Sequence, residues 1–300
     1  MKIDGNTKLA GVLGWPVAHS LSPVMQNAAF HAMQLPWVYL PLPVEKAVDV
    51  AQVVSATRIL PFVGFNVTMP YKRLMLDLCD EVVPLAQIAG AVNTVRCEDG
   101  KLIGYNTDGR GLLAALHEEA ALNPEGRSFT MLGSGGAAGA ALAAMMMAGA
   151  ARVTVVSRDP EHARRLVDRM RPHAHGTELV ALEAGPQNGA AFIEADVVVN
   201  ATPVGMTAGD PLPINPHWLH RGQIVCDMIY APLRTRLLEE AERAGAMVVG
   251  GLGMLVHQGA MALELWNAGC NESVPRHVMR MAAEAAIQAR ENNWSGSGEK

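Results

Sequence analysis

Short apolar runs alternate along the chain with longer segments in which apolar side chains recur every three or four residues. The first pattern predicts buried strands, and the second predicts amphipathic helices of about ten residues or more. Because strands and helices follow one another in turn, the sequence predicts parallel strands joined by right-handed helical crossovers. The expected fold class is therefore α/β.

The N-terminal third contains three predicted strands and two predicted helices. The strands cover residues 9–13, 37–40 and 61–67. Ser22 followed by Pro23 is a strong helix start, and we expect the serine to be the N-cap. The second helix is predicted over residues 44–56. A first α/β unit is expected here.

A hairpin and a long helix are predicted next. Apolar segments at 91–96 and 102–106 flank Asp99-Gly100, a common turn dipeptide, and therefore predict an antiparallel pair. A helix over 109–122 then leads to the clearest linker of the chain, residues 123–126.

The second half repeats the alternation of strands and helices. Strands are predicted at 128–132, 152–156, 197–200, 224–226 and 247–249, and helices at 160–170, 234–244, 254–266 and 274–290. This pattern predicts a doubly wound parallel sheet. We expect one domain over residues 1–108, joined by the C-terminal helices from about 253–300, and a second over 109–252. The last residues, 294–300, are predicted to be a disordered tail.

Composition narrows the possible functions. Half of the 300 residues are apolar, which is enough for two cores, and the net charge of -5 with few basic clusters speaks against nucleic acid. Four scattered cysteines favour neither a disulfide framework nor a metal site. The longest apolar run, 137–148, is shorter than the ~20 residues of a membrane span. No signal-like N-terminus precedes Lys8, and the unpaired cysteines make a reducing cytoplasm the expected location.

A glycine-rich segment connects a predicted strand directly to a helix. Residues 133–138 match G-x-G-x-x-A, the pattern that lets backbone N–H groups at a helix N-terminus approach a pyrophosphate. The alternative is a turn that only packs a helix. At the tip of the next strand, Arg158 suits the 2′-phosphate of NADP, which favours NADP, whereas Asp159 leaves NAD open.

Two polar clusters invite a functional interpretation beside a structural one. Ser20 and Ser22 place two hydroxyls at a helix start, which suits a carboxylate, although capping alone would explain Ser22. Asp108 follows the hairpin strand, where it either caps the next helix or supplies a carboxylate to a site.

A third cluster lies at the end of the strand predicted over 61–67. Asn66 and Thr68 lie at the strand end, and Lys72 follows a proline turn. Loops after strands commonly hold reactive groups because the sheet fixes them while leaving their side chains accessible. Taken alone, Lys72 is better explained as an exposed lysine at a helix start.

Eight motifs in order along the chain resemble the shikimate dehydrogenases. The first half contains Gly14–Pro23 (GWPVAHSLSP), Asn66–Lys72 (NVTMPYK), Gly90–Thr94 (GAVNT) and Gly104–Asp108 (GYNTD). The second half contains Gly133–Ala137 (GSGGA), Asn200–Met206 (NATPVGM), Asp227–Tyr230 (DMIY) and Gly251–Gln258 (GLGMLVHQ). The resemblance runs from about Leu9 to Trp266. It implies an N-terminal α/β substrate domain and a Rossmann-type dinucleotide-binding domain, with the site between them.

The resemblance also implies roles for individual residues. The catalytic pair would be Lys72 and Asp108. The residues that bind substrate would be Ser20, Ser22, Asn66, Thr68, Asn93, Asp108, Tyr230 and Gln258. The residues that contact the cofactor would be Gly133, Ser134, Gly135, Gly136, Ala137, Ser157, Arg158, Met228 and Gly251. No metal is expected. The family's usual Asn-Arg-Thr at the strand tip is Ser157-Arg158-Asp159 here, which leaves the choice of cofactor least secure.

The implied reaction is the reversible, NADPH-dependent reduction of 3-dehydroshikimate to shikimate, a step of aromatic amino acid biosynthesis through chorismate. Lys72 would supply or accept the proton. One alternative is a quinate/shikimate dehydrogenase that uses NAD, although the unaltered Ser22 favours shikimate. Another is a paralogue that binds shikimate without turning it over, which Lys72 and Asp108 argue against. A monomer or a homodimer is expected.

Overall fold

The computed structural model describes residues 3–269 and 272–295. The chain divides into two compact units. The first combines Met1–Thr107 with Gln258–Lys300, and the second is Asp108–His257. The chain thus passes between units immediately before Asp108 and immediately before Gln258.

The first unit is built on a six-stranded mixed sheet. Its elements in chain order are β1 (Lys8–Gly14), α1 (Ser22–Ala32), β2 (Trp37–Pro43), α2 (Ala47–Thr57), β3 (Phe62–Val67), α3 (Met75–Leu78), β4 (Glu81–Val82), α4 (Pro84–Ala89), β5 (Thr94–Glu98) and β6 (Lys101–Tyr105). The strand order is β2-β1-β3-β5-β6-β4. β1 is parallel to both β2 and β3. β5 pairs antiparallel with β3, and β5 and β6 form an antiparallel hairpin.

The second unit is built on a six-stranded parallel sheet. Its elements are α5 (Asp108–Ala120), β7 (Ser128–Leu132), α6 (Gly136–Met147), β8 (Arg152–Ser157), α7 (Pro160–Met170), β9 (Glu178–Glu183), α8 (Gly189–Ile193), β10 (Val197–Asn200), β11 (Ile224–Asp227), α9 (Arg236–Arg243), β12 (Met247–Val249) and α10 (Gly251–Trp266). The strand order is β12-β11-β10-β7-β8-β9. This is the doubly wound Rossmann order, in which the topology switches between β7 and β10.

The final helix, α11 (Arg276–Ser295), and the C-terminal part of α10 belong to the first unit. The indole Nε1 of Trp266 donates a hydrogen bond to the Val95 carbonyl oxygen at 2.9 Å. A Cβ at Gly64 on β3 would overlap the same indole, so only glycine allows this close approach. The end of α10 is therefore packed directly on the first sheet.

Apolar strand residues form the core of each unit. In the first, Leu13, Phe65 and Val95 pack with Val54 and Met75 and are buried. At about 25 cal/mol per Å² of apolar surface removed from water, each large side chain contributes roughly 1.5–3 kcal/mol. These cores hold the strand ends at which the predicted site residues lie.

The predicted α/β class and the doubly wound second sheet are confirmed, whereas several details differ. The sequence patterns missed β4 and β9, which are edge strands with weaker apolar patterns. The N-cap prediction for Ser22 is wrong. Leu21 precedes α1 in helical conformation, and no side-chain cap bond is made, because Ser22 is itself the first helical residue.

The structure describes only the first part of the C-terminal segment, 294–300, that was predicted to be a disordered tail. Helix α11 includes the first two residues of the predicted tail, and residues 296–300 lie outside the described part of the chain. Within residues 3–269 and 272–295, no helix has the length and apolar character needed to span a bilayer.

Candidate functional site

A buried polar network in the first unit joins several of the predicted substrate residues. Asn66, near the end of β3, is buried and donates through Nδ2 to the Thr94 hydroxyl at 3.0 Å. Asn93 precedes β5 and donates to Thr107 Oγ1 at 3.0 Å and to Gln258 Oε1 at 3.4 Å. Buried amides that are satisfied in this way are held in one orientation. The network therefore fixes the polar atoms that line this part of the unit.

The Asn93 side chain is the centre of the network. Its Oδ1 accepts from the Thr107 backbone N–H at 2.8 Å and from the Thr94 hydroxyl at 3.0 Å. Thr107 immediately precedes Asp108, so the Asn93 amide also fixes the backbone that leads into α5. Few directions remain open to this side chain.

Tyr39 holds Asn66 from β2, a contact that sequence reasoning missed. Its hydroxyl donates to Asn66 Oδ1 at 2.7 Å. Burial raises the pKa of Tyr39 well above its ordinary value. The phenol therefore stays neutral and can donate to Asn66. Its position in the middle of β2 gave no local signal of this role.

The two serines lie at the start of α1 in different environments. Ser22 is buried, whereas Ser20 is half-buried and accepts a hydrogen bond through Oγ from the Ser22 N–H at 3.2 Å. Neither hydroxyl caps α1. A hydroxyl can donate while it accepts, so both hydroxyls are able to donate to a ligand carboxylate.

Lys72 lies in a turn, not at a helix start. It is half-buried, and α3 begins three residues later at Met75. Its carbonyl oxygen accepts from the Val92 N–H at 2.8 Å, while the Tyr71 hydroxyl donates to the Val44 carbonyl oxygen at 2.8 Å. These bonds fix the backbone around Lys72, so the structure does not support the interpretation as an exposed helix lysine. Thr68, earlier in the turn, is half-buried.

Asp108 is the first residue of α5 and is buried, with 6 % of its surface exposed. It belongs to the second unit, whereas Lys72 belongs to the first. Negative charge at a helix N-terminus interacts favourably with the helix dipole and with the first N–H groups. The start of α5 is therefore a suitable place for a buried carboxylate.

The glycine-rich turn of the second unit has the geometry that a dinucleotide phosphate needs. Gly133 adopts φ +104°, and a Cβ there would lie 2.9 Å from the Ala201 carbonyl oxygen. Helix α6 begins at Gly136, and no side chain caps it. Its first N–H groups are therefore available to an anion. The space around Gly135 and Gly136 is open, so the turn has room for the phosphate groups of a dinucleotide.

The tip of β8 separates the roles of Arg158 and Asp159. Asp159 Oδ1 accepts from the His162 N–H at 3.0 Å and is the N-cap of α7. This hydrogen bond holds the pKa of the carboxyl below its usual value. Arg158 is exposed, and the Ser157 hydroxyl lies 3.1 Å from that of Ser134 in the glycine turn. The Asp159 carboxylate is thus engaged in capping α7. Sequence reasoning did not predict this cap.

Asp227 at the end of β11 is a second feature that sequence reasoning left without a role. It is fully buried and accepts hydrogen bonds from Thr235 Oγ1 at 2.7 Å, Asn200 Nδ2 at 3.1 Å and the Ile229 N–H at 3.1 Å. Burial raises the pKa of Asp227, and these three bonds oppose the shift. The carboxyl therefore fixes the loop that leads to Tyr230.

The remaining predicted residues of the second unit are close to this loop. Met228 and Tyr230 are half-buried, and Gly251 is the first residue of α10. A Cβ at Gly251 would overlap the Met228 carbonyl oxygen, so glycine allows the start of α10 to contact the loop. Within the described residues, no group of three or more His, Cys, Asp or Glu side chains could hold a metal ion.

Comparison with known proteins gives consistent matches over most of the chain. The family described as the shikimate dehydrogenase substrate binding domain matches residues 12–95, and the shikimate 5′-dehydrogenase C-terminal domain matches residues 251–284. A shikimate dehydrogenase (NADP(+)) of Citrifermentans bemidjiense is 46% identical over 279 residues, which are 91% of this chain and 96% of the relative.

Solved structures agree with the sequence matches. A shikimate dehydrogenase in complex with NADP+ superposes with a TM-score of 0.87 at 34% identity, over 95% of this chain and 98% of that one. The shikimate 5-dehydrogenase of Thermus thermophilus in complex with NADP(H) and shikimate has a TM-score of 0.82 at 34% identity, over 93% and 99% of the two chains. This chain belongs to the shikimate dehydrogenase family.

Proposed function

We propose that this chain catalyses the reversible, NADP-dependent interconversion of shikimate and 3-dehydroshikimate, with Lys72 and Asp108 as its catalytic pair. The observation that carries the proposal is the buried network that joins Asn66, Asn93 and Gln258, with Tyr39 bonded to Asn66 and Ser22 buried at the start of α1. A shikimate ligand needs donors and acceptors for three ring hydroxyls and a carboxylate, and this network provides them on rigid elements.

Substrate binding divides between the two ends of the network. Ser20 and Ser22 would donate to the carboxylate, together with Tyr230 of the second unit. Asn66, Thr68, Asn93 and Gln258 would contact the ring hydroxyls. Amides both donate and accept, so they match hydroxyl groups that do the same. The hydrogen bonds that hold these amides reduce the entropy lost when the ligand binds.

Proton transfer is the proposed task of Lys72. In the direction of reduction, its ammonium would stabilise the negative charge that develops on the carbonyl oxygen and donate a proton to it. In the direction of oxidation, the neutral amine would take the proton of the hydroxyl. Asp108 would orient Lys72 and accept a hydrogen bond from a neighbouring hydroxyl. NADPH, when bound, supplies the hydride.

Residues of the second unit support NADP as the cofactor. Gly133 to Ala137 and the N-terminus of α6 would hold the pyrophosphate, with Ser157, Met228 and Gly251 as further contacts. Arg158 would bind the 2′-phosphate with its planar guanidinium. Because Asp159 caps α7, its carboxylate is engaged where an NAD enzyme would use an acid to bind the ribose.

Initial-rate assays with shikimate and quinate, each combined with NADP+ and with NAD+, test the proposal. We expect turnover to be fastest with shikimate and NADP+. Faster turnover of quinate with NAD+ would instead identify a quinate/shikimate dehydrogenase. Shikimate binding without turnover in any combination would identify a binding paralogue.

A cytoplasmic location and a monomeric or homodimeric state remain predictions from the sequence. Size-exclusion chromatography with light scattering would decide the second of these.

A further inference from the structure

We infer that Gln26 is a positioning residue that fixes the spacing between Ser22 and Gln258, two residues of the proposed shikimate site. The inference rests on the proposed function. Gln26 lies on α1 four residues after Ser22, and its side chain is fully buried. Its Nε2 donates to the carbonyl oxygen of Gly259 at 2.9 Å, and Gly259 directly follows Gln258 on α10.

This hydrogen bond spans two helices that approach closely. A Cβ at Gly259 would lie 3.3 Å from Met279 Cε and 3.4 Å from Gln26 Nε2. Residues four apart on a helix share a face, so Gln26 and Ser22 lie on the same side of α1. A contact at Gln26 therefore fixes Ser22 with respect to the α10 backbone, while packing around Gly259 limits any sliding of the helices.

Packing alone does not explain a glutamine here. Its Oε1 is buried and, among the described residues, accepts no hydrogen bond. A buried acceptor without a partner is unfavourable, and an unbranched apolar side chain of similar length would fill the same space without that cost. What the amide provides, and an apolar side chain cannot, is the hydrogen bond from Nε2 to the Gly259 carbonyl oxygen. Gly259 lies inside α10, so this bond is additional to the helix's own hydrogen bonds.

The spacing matters because Ser22 and Gln258 would bind opposite ends of one small ligand. Ser22 is buried at the start of α1, and Gln258 Oε1 accepts from Asn93 Nδ2 at 3.4 Å. The substrate carboxylate and its ring hydroxyls have a fixed separation. A shift of α1 relative to α10 would therefore weaken one set of contacts whenever the other is made.

The decisive variant is Gln26→Met, measured in the full chain. We expect the KM and the calorimetric Kd for shikimate to rise roughly 3- to 10-fold, the factor that one net hydrogen bond gives. The KM for NADP+ and the kcat should remain near wild type, because the variant alters only the position of the groups that bind shikimate. Gly259→Ala reaches the same contact from the other helix and should raise the shikimate KM in the same direction.

Gln223→Met is the matched control. Gln223 is also buried and donates through Nε2 to a backbone carbonyl oxygen, that of Phe192, at 2.7 Å, but it lies in the second unit. Its replacement should lower the Tm and leave the shikimate KM unchanged. An equal rise of that KM in Gln223→Met would show that destabilisation alone causes the effect, and would overturn the inference.

A double variant separates positioning from general damage. If Gln26 acts through Gln258, then Gln26→Met should raise the shikimate Kd much less in a Gln258→Ala background than in the wild type. Full additivity, or an unchanged Kd in Gln26→Met and Gly259→Ala, would overturn the role of Gln26. A wild-type chain that neither binds nor oxidises shikimate would instead overturn the proposed function.

Discussion

The two units contribute different kinds of groups to the proposed site, side chains from the first and backbone groups from the second. In the first unit, the buried side chains of Asn66 and Asn93 are held by hydrogen bonds to other side chains. In the second unit, the backbone contributes through the turn at Gly133 and the uncapped start of α6. In the proposed function, side chains of the first unit would select the substrate, whereas backbone N–H groups of the second would hold the phosphate.

The two units should respond differently to mutation. Removing a side chain should disturb the first unit most, because each amide or hydroxyl there has a specific partner. Adding a side chain should disturb the second unit most, because its contacts depend on the absence of a Cβ.

Lys72→Ala should lower kcat by ~10²–10⁴-fold, the range for loss of a general acid or base, with a much smaller change in KM. Steady-state kinetics with shikimate and NADP+ measures both constants. Lys101→Ala is the control, because Lys101 lies in the same unit with its side chain 67% exposed, in a surface ion pair with Glu81. A kcat near wild type in Lys72→Ala would end the assignment of this lysine.

Ser22→Ala should raise the KM for shikimate by roughly 10- to 100-fold with little effect on kcat, because a hydrogen bond to a charged carboxylate is lost. Ser55→Ala on the exposed face of α2 removes an equivalent hydroxyl away from the site and should change neither constant. An unchanged KM in Ser22→Ala would count against carboxylate binding at the start of α1.

Gly136→Ala should raise the KM for NADP+ by about tenfold, which corresponds to about 1.4 kcal/mol, while the Tm stays the same or rises. The added Cβ has open space in the free protein and favours the helix, but it would crowd a bound phosphate. Gly133→Ala is the contrasting variant and should lower the Tm because of its φ of +104°. A Gly136→Ala chain with normal NADP+ kinetics would refute backbone binding at this turn.

Asp80→Asn should have the smallest effect. In this variant the free energy of unfolding should fall less steeply as the pH is lowered. The Arg58 guanidinium and then the Leu102 N–H hold the pKa of Asp80 below its ordinary value of 3.8. A carboxyl whose pKa is lower in the folded state stabilises the fold above the unfolded pKa, and this contribution is lost as pH falls through the folded pKa.

Urea unfolding of wild type and Asp80→Asn between neutral pH and pH ~3 measures this difference. The two curves should differ at neutral pH and converge in acid. The exposed carboxylate of Glu98, in an ion pair with Arg96, offers Glu98→Gln as a comparison. Parallel curves for wild type and Asp80→Asn at every pH would contradict the stabilising role of the pair.

Patterns within a few residues of one another determined much of this protein from the sequence alone. The alternation of strands and helices, the glycine turn after β7 and the order of the family motifs all reflect local backbone chemistry. They were sufficient for the fold class and for the family. They could not show that Asp159 caps α7, because a carboxylate before a helix suits both a cap and a ribose.

Only the tertiary structure decided which distant residues meet. Asn93 and Gln258 are 165 residues apart, and Gln26 and Gly259 are 233 apart, yet each pair forms a hydrogen bond. Tyr39 on β2 reaches Asn66 on β3 across β1, which lies between these two strands in the sheet. Such contacts depend on strand order and helix packing, which the whole core establishes together. No local pattern of polar and apolar residues encodes them.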